Sequence, residues 1–118
     1  MLVNKKVGDR IGWLDEDYFW YGEDLDFCFR VKKNGFKVIF YPYVSITHYK
    51  GIASGIKKHS TKISSADNRI KKMATNARFD VMRIFYNKHY KDAYPTWLKK
   101  VIFTVINIKE KIALNQYK

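Results

Sequence analysis

The sequence lacks the features that cross-link many small exported proteins or anchor a chain in a membrane. Cys28 is its single cysteine, which excludes an intrachain disulfide framework and a cysteine-based zinc site. No apolar run approaches the roughly 18 to 20 residues that span a bilayer, and the N-terminal MLVNKKVGDR lacks the apolar core of a signal peptide. We therefore expect a cytoplasmic chain that neither crosses a membrane nor is exported by itself.

Acidic residues are scarce in the second part of the chain. Residues 1–49 carry seven lysines and arginines against seven acids, whereas residues 50–118 carry sixteen against four, so the net charge of +12 arises there. This asymmetry favours an anionic partner for the C-terminal part: a phosphorylated substrate, an acidic lipid surface or nucleic acid. The 47% of hydrophobic residues indicates a folded chain, and 118 residues suffice for one domain at most.

Clustered negative charge is abundant near the N-terminus. The stretch YFWYGEDLDFCFR places Glu23, Asp24 and Asp26 within four residues, between aromatic and aliphatic side chains. Unpaired carboxylates cost several kcal/mol to bury, so such a cluster is solvated, paired or kept for chemistry. Acids at the start, lysines at the end and Gly35 just beyond predict a helix over residues 23–34.

The acids differ in their places around this predicted helix. Asp26 and Arg30 are an i, i+4 pair, which predicts an ion pair that orients the helix. Asp24 has no such partner and falls among apolar neighbours near the start of the helix. The helix dipole favours its charge and the neighbours oppose it, so Asp24 is either a solvated cap or a carboxylate tunable as a general base.

Downstream patterns predict two short strands and two amphipathic helices. FKVIFYP and VSITHY are rich in β-branched and aromatic residues and are broken at Pro42, which is typical of two short strands or one bent strand. The Gly-, Ser- and Lys-rich residues 50–65 predict a mobile loop. Apolar residues at helical spacing predict helices over about residues 66–86 and from Pro95 onward.

A series of short motifs runs through residues 12–51 in a specific order. A G-x-hydrophobic-D-E turn starts at Gly12, a Y-G-E-D-x-D helix start follows at Tyr21, and an H-x-x-G begins at His48, with Arg30 on the helix between them. In this order and spacing, residues 1–55 resemble the acceptor-side half of family 2 glycosyltransferases, the bacterial rhamnosyltransferase-like group especially.

The resemblance implies a fold class and a reaction. The implied class is α/β, an α+β fragment from the C-terminal part of the GT-A glycosyltransferase fold, with short strands and a carboxylate-bearing helix over residues 1–55. A basic loop and two amphipathic helices form an extension over residues 56–118. The implied reaction is an inverting, in-line displacement of nucleoside diphosphate from a nucleotide-sugar by the hydroxyl of a saccharide or lipid-linked acceptor, as in surface polysaccharide biosynthesis.

The resemblance also implies roles for individual residues. The family's general base is the Asp after Glu in the helix-start motif, which corresponds to Asp24. Glu23, Asp26 and Arg30 are implied to bind substrate or shape its site. Trp20 flanks this region and is a candidate for sugar stacking, with core packing as the alternative. Lys57 and Lys58, on the predicted mobile loop, are candidates to close over a diphosphate, with a solvated basic loop as the alternative.

The implied metal site is incomplete in this sequence. The family's divalent ion, Mg or Mn, is held by an Asp-x-Asp motif in a nucleotide-binding half upstream of the matching region, so its main ligands are absent here. His48 is a candidate ligand, with a packed core histidine as the alternative. We expect the chain by itself to be an incomplete and inactive enzyme.

The basic C-terminal part leaves several interpretations open. The helix from Pro95 fits an anionic membrane surface, which would place the chain peripherally on the inner face of the plasma membrane, or it fits a protein surface. A small nucleic-acid-binding protein accounts for the charge but leaves the acids without a purpose, so no nucleic acid is expected as a partner. A non-catalytic, membrane-associated remnant predicts that Asp24 is buried and paired.

Overall fold

The regular structure of the chain is helical. The computed structural model describes residues 1–48, 51–57 and 63–117. Its helices are α1 (Lys5–Ile11), α2 (Glu23–Lys33), α3 (Asn68–His89) and α4 (Thr96–Leu114), with a short 3-10 turn over Asn115–Tyr117. The chain divides into two compact units, Met1–Ile46 and Thr47–Lys118. The functional division at residue 55 rests on the resemblance and stays a prediction.

The helix ends follow from the side chains beside them. The Asn4 side chain accepts the Lys6 N–H at 3.0 Å and caps α1, and the Asp67 side chain accepts the Ile70 N–H at 2.8 Å and caps α3. Gly22 precedes α2 with φ 93°, a left-handed value that glycine adopts without steric cost. The predicted helix over residues 23–34 is thus confirmed as α2.

The predicted α/β class, with its short strands, is wrong. The described residues form no strand, although residues 36–42 and 44–48 have strand-like sequences. Strand propensity reflects how well a side chain fits the half-buried surface of a sheet, and no second strand in this part of the chain supplies that surface. Phe40, Tyr43 and Ile46 are accordingly 84% to 87% exposed, and the segment stays irregular.

The first unit has a small core around α2. Phe27 and Val31 on α2 are buried, as is Tyr18 from the preceding loop. The Trp13 indole lies against α1 at Gly8, where a Cβ atom would come within 2.7 Å of the ring. Glycine at this position therefore allows the loop after α1 to fold back onto the helix.

The second unit is built on the packing of α3 against α4. The buried residues of α3 include Ala74, Ala77, Phe79 and Tyr86, and Ile106 is buried on α4. The rings of Tyr86 and Phe103 meet edge to face with centroids 5.7 Å apart. The edge-to-face pair therefore packs α3 against α4 near the C-terminus of α3.

Arg83 joins the two helices of this unit through its guanidinium group. It donates to Asp80 Oδ1 at 2.9 Å on its own helix, to Asn107 Oδ1 at 2.7 Å on α4, and to Glu110 Oε2 on α4. The hydrogen bond to Glu110 is the main cause that raises the pKa of Arg83, and burial opposes it. The planar fork of arginine suits such a three-way contact, which a lysine would not reproduce.

Replacing Arg83 should loosen the second unit. We expect Arg83→Met, which keeps much of the apolar stem, to lower the free energy of unfolding by about 1 to 2 kcal/mol, because Glu110 and Asn107 lose a charged donor. Urea denaturation followed by circular dichroism measures the change. Arg69→Met, at an exposed position in the first turn of α3, is the control and should alter stability little. Equal effects of the two variants would contradict the role of Arg83.

Candidate functional site

The three acids of α2 lie in three different environments. Asp26 is fully buried, Glu23 is half-buried and Asp24 is exposed, although all three belong to the first turn of one helix. A helix turns by about 100° per residue, so neighbours in sequence face different surroundings. The cluster is therefore a set of separate carboxylates, each with its own chemistry.

Asp26 is a paired, structural carboxylate. Its Oδ2 accepts from Arg30 Nε at 2.6 Å, and its Oδ1 accepts from the Tyr18 hydroxyl at 3.2 Å. The i, i+4 pair with Arg30 expected from the sequence is confirmed. Burial raises the pKa of the Tyr18 hydroxyl above its ordinary value, and the charge of Asp26 raises it further. Tyr18 therefore stays protonated and donates to Asp26 across the whole neutral range.

Arg30 fastens the loop after α1 to α2. In addition to its bond with Asp26, Arg30 donates from Nη1 to the carbonyl oxygens of Ile11 at 2.9 Å and Gly12 at 3.1 Å. Its Nη2 donates to the carbonyl oxygen of Trp13 at 2.7 Å. These carbonyls belong to the last residue of α1 and the two residues after it, where carbonyl groups lack partners within the helix. One guanidinium thus satisfies a buried carboxylate and a helix end together.

Asp24 faces solvent. Its Oδ1 accepts the Leu25 backbone N–H at 2.7 Å, which holds the carboxylate close to the first turn of α2. Sequence geometry places it among apolar neighbours, but the side chain is exposed. A carboxylate at this position can be reached by a hydroxyl group from outside the protein.

Glu23 combines partial burial with an unused acceptor. Its Oε2 atom is buried and has no hydrogen-bond partner among the described residues. Buried polar atoms are rarely left in this state, so such an atom needs an explanation. An incoming hydroxyl or amide donor would satisfy it.

Aromatic rings precede the acids. Trp20 is half-buried, stacks on Tyr21 with ring centroids 6.3 Å apart, and meets Phe19 edge to face at 6.0 Å. Phe19 itself is 75% exposed. These side chains give the approach to α2 an apolar, aromatic border, so both sugar stacking and packing are open to Trp20.

The basic and metal-binding candidates lie in the other compact unit. His48 and Lys57 belong to Thr47–Lys118 and are both exposed, and Lys58 falls outside the described residues. No group of three or more His, Cys, Asp or Glu side chains that could hold a metal occurs in the described part of the chain. The described residues therefore do not by themselves supply the ligands of the divalent metal that the resemblance implies.

An apolar groove occupies another part of the first unit. It has a volume of about 620 Å³ and is lined by the N-terminus, by Phe27, Cys28 and Val31 of α2, and by apolar residues between Phe36 and Ile46. The three acids do not line it. The groove and the carboxylates are thus separate features of α2.

Sequence reasoning missed Tyr18 and the carbonyl contacts of Arg30. Tyr18 reaches Asp26 from eight residues away, and Arg30 reaches back across 17 to 19 residues to the end of α1. Helical periodicity reports only neighbours three or four residues apart. A tyrosine eight residues before an acid is the one signal that the sequence offers, and it is a weak one.

Part of this chain is similar to glycosyltransferases. Over 55 residues, 47% of the chain, it is 33% identical to the N-acetylglucosaminyl-diphospho-decaprenol L-rhamnosyltransferase of Mycobacterium tuberculosis, and the match covers 18% of that protein. Over 38 residues, 32% of the chain, it is 32% identical to the low-salt glycan biosynthesis hexosyltransferase of Haloferax volcanii, and the match covers 12% of that protein.

These matches cover only a small part of each relative. The matched part spans less than a fifth of the length of either curated relative. No family model matches the chain, and no solved structure matches it. The expected resemblance to glycosyltransferases is confirmed at this distant, partial level.

Removing the guanidinium of Arg30 should destabilise the first unit strongly. We expect Arg30→Lys to lower the free energy of unfolding by about 3 kcal/mol, because it leaves the buried Asp26 poorly paired and frees the three loop carbonyls. Urea unfolding followed by tryptophan fluorescence, in a Trp97→Phe background so that the signal comes from Trp13 and Trp20, reports on this unit. The exposed Lys33→Met on the same helix is the control. A loss as small as that of the control would mean that the fork is not needed.

The raised pKa of Tyr18 predicts a loss of stability in alkali. Tyr18 ionises near pH 10 when unfolded and only at higher pH when folded, so its contribution is complete below pH 10 and declines above it. Between pH 10 and the pKa of Tyr18 in the folded chain, the free energy of unfolding should fall more steeply for wild type than for Tyr18→Phe. The difference should reach up to about 1.4 kcal/mol per pH unit. Urea unfolding at a series of pH values measures this difference. Tyr43 is exposed, so Tyr43→Phe should show the same dependence of stability on pH as wild type. Parallel plots of stability against pH for wild type and Tyr18→Phe would mean that folding does not raise the pKa of Tyr18.

Proposed function

We propose that residues 1–55 form the acceptor-side part of an inverting, nucleotide-sugar-dependent glycosyltransferase of family 2, acting on a saccharide or lipid-linked acceptor. The partial similarity to glycosyltransferases supports the class of enzyme. The observation that carries the proposal is the division of the α2 acids into a buried, paired carboxylate, Asp26, and an exposed one, Asp24.

Asp24 is the general base in this proposal. Its Oδ1 already accepts a backbone N–H, so Oδ2 is the atom assigned to the acceptor hydroxyl. As the hydroxyl oxygen bonds to the anomeric carbon of the donor sugar, its proton passes to Oδ2 and the nucleoside diphosphate leaves with the bonding electrons. A positioned carboxylate that takes this proton accelerates attack by about a hundred- to ten-thousand-fold.

The other candidates have supporting roles. Glu23 Oε2, buried and without a partner, would accept a hydrogen bond from a second acceptor hydroxyl and so fix the orientation of the sugar. Trp20 would offer its half-buried ring to an apolar sugar face. Asp26 and Arg30 are positioning residues, because their polar groups hold α2 against the loop after α1.

Three further points bear on this proposal. A non-catalytic remnant predicts a buried and paired Asp24, and the exposure of Asp24 argues against that interpretation. A divalent metal, Mg or Mn, would need its main ligands from a donor-binding part outside the described residues, since these do not supply a metal site. The exposed Lys57, with Lys58 beside it in sequence, is proposed as a diphosphate contact.

The proposal is tested by supplying a donor-binding part. Residues 1–118 are fused to the nucleotide-binding half of a related glycosyltransferase, and sugar transfer by Asp24→Asn is compared with that of Asp26→Asn. We expect Asp24→Asn to lose about a hundred- to ten-thousand-fold in kcat while its unfolding curve is unchanged, because asparagine cannot take the proton. Asp26→Asn should lose stability, by about 3 kcal/mol, with a smaller change in kcat.

The pair of variants separates chemistry from folding. Full activity of Asp24→Asn would mean that the base lies elsewhere. Equal losses of kcat in two folded variants would mean that the roles of the two acids are divided wrongly. Turnover of any nucleotide-sugar by residues 1–118 alone would contradict the expectation that a donor-binding part is needed.

A further inference from the structure

The apolar residues of α4 divide into two faces. Phe103 and the buried Ile106 lie on the side that packs against α3. A second set remains 46% to 65% exposed and is called here the α4 stripe: Trp97, Val101, Val105, Ile108 and Ile112. The helix therefore carries more apolar surface than its packing in the second unit uses.

The α4 stripe is continuous along the helix. Its members follow one another at intervals of four, four, three and four residues, which keeps them within an arc of about 80°. From Trp97 to Ile112 the stripe is about 22 Å long at the usual helical rise. Ile106 lies roughly opposite its centre, so the stripe faces away from α3.

Lysines flank the α4 stripe on both sides. On the helical wheel, Lys109 lies beyond one border, and Lys100 and Lys111 lie beyond the other, about 80° to 100° from the centre of the stripe. All three are exposed. Glu110, the acid of this helix, is bonded to Arg83 on the α3 side. The face that carries the stripe is therefore bordered by positive charge alone.

The N-terminal end of α4 carries aromatic rings suited to a bilayer surface. None of the described helices is long and apolar enough to cross a membrane. Tyr94 and Trp97, 49% and 65% exposed, stand at the N-terminal end of α4, and such rings favour the boundary between lipid and water. An apolar face bordered by lysines is the pattern of interfacial helices.

We propose that the α4 stripe docks this chain on the surface of an anionic lipid bilayer, with the helix axis in the plane of the interface. The apolar side chains enter the boundary between headgroups and acyl chains, and the flanking lysines contact anionic headgroups. The proposal does not depend on the glycosyltransferase activity, because it rests on the exposed surface and charge of α4 alone.

Charge complementarity selects lipid over protein as the partner. Residues 50–118 carry sixteen lysines and arginines against four acids, which suits a surface of uniform negative charge. A second copy of the chain would bring two such lysine-bordered stripes together and would be opposed by their repulsion.

The test is co-sedimentation of the 118-residue chain with lipid vesicles. Vesicles of phosphatidylcholine with one third phosphatidylglycerol are compared with vesicles of phosphatidylcholine alone, at about 0.1 M and about 1 M salt. We expect binding to the anionic vesicles at the lower salt concentration, at least about tenfold weaker binding to the neutral ones, and weakening at the higher concentration, where the Debye length shrinks to about 3 Å.

Two variants that each add one negative charge to α4 locate the surface. Ile108→Asp places the charge within the stripe and should weaken binding to anionic vesicles at least about tenfold. Thr96→Asp, exposed and about 140° from the centre of the stripe, is the matched control and should bind nearly as wild type. The double variant Lys109→Gln with Lys111→Gln should bind anionic vesicles about tenfold more weakly than wild type and should bind neutral vesicles as wild type does. Circular dichroism checks that each variant retains its helix content.

Each outcome decides the proposal. Loss of binding in Ile108→Asp with retention in Thr96→Asp supports the α4 stripe as the docking surface. Equal binding by these two folded variants, or equal binding of wild type to neutral and anionic vesicles, overturns it. Absence of vesicle binding together with a dimer in light scattering, broken by Ile108→Asp, overturns it in favour of self-association.

Discussion

The first unit depends on one buried ion pair. Asp26 is fully excluded from solvent, and a carboxylate in that position is tolerated only while Arg30 and Tyr18 satisfy it. The same guanidinium holds three carbonyls at the end of α1. The loop that follows α1 and the first turn of α2 are thus held together by a single guanidinium group. The exposed Asp24 owes its placement to that arrangement.

Both units use an arginine where a lysine would be inadequate. Arg30 gathers a carboxylate and carbonyls from one direction, and Arg83 gathers two carboxylates and an amide from two helices. A planar group with five donors can hold several acceptors at fixed angles, whereas an ammonium group is a single point of charge. The small apolar cores of the two units fix the positions of their helices and loops incompletely. The guanidinium groups of Arg30 and Arg83 fix them further.

The sequence predicts contacts between residues that are close in the chain and misses contacts between residues that are far apart in it. The bounds of α2 and the pair of Asp26 with Arg30 follow from neighbours three or four residues apart. The contact of Tyr18 with Asp26 and the exposure of Asp24 depend on how a loop folds back, which no periodicity reports. Residues 36–48 fail as predicted strands for a related reason: their side chains fit a sheet, but a strand exists only when a second strand lies beside it.

That unpaired segment has a consequence for the solubility of the chain. Residues 38–46 combine β-branched and aromatic side chains, carry no charge and are largely exposed, which are the properties of segments that recruit identical copies into stacked strands. Pro42 interrupts this run at its middle. It has no N–H to offer a neighbouring strand, and it leaves only short runs of strand-forming residues on either side. The ring of Pro42 thus protects an exposed segment that would otherwise be prone to aggregate.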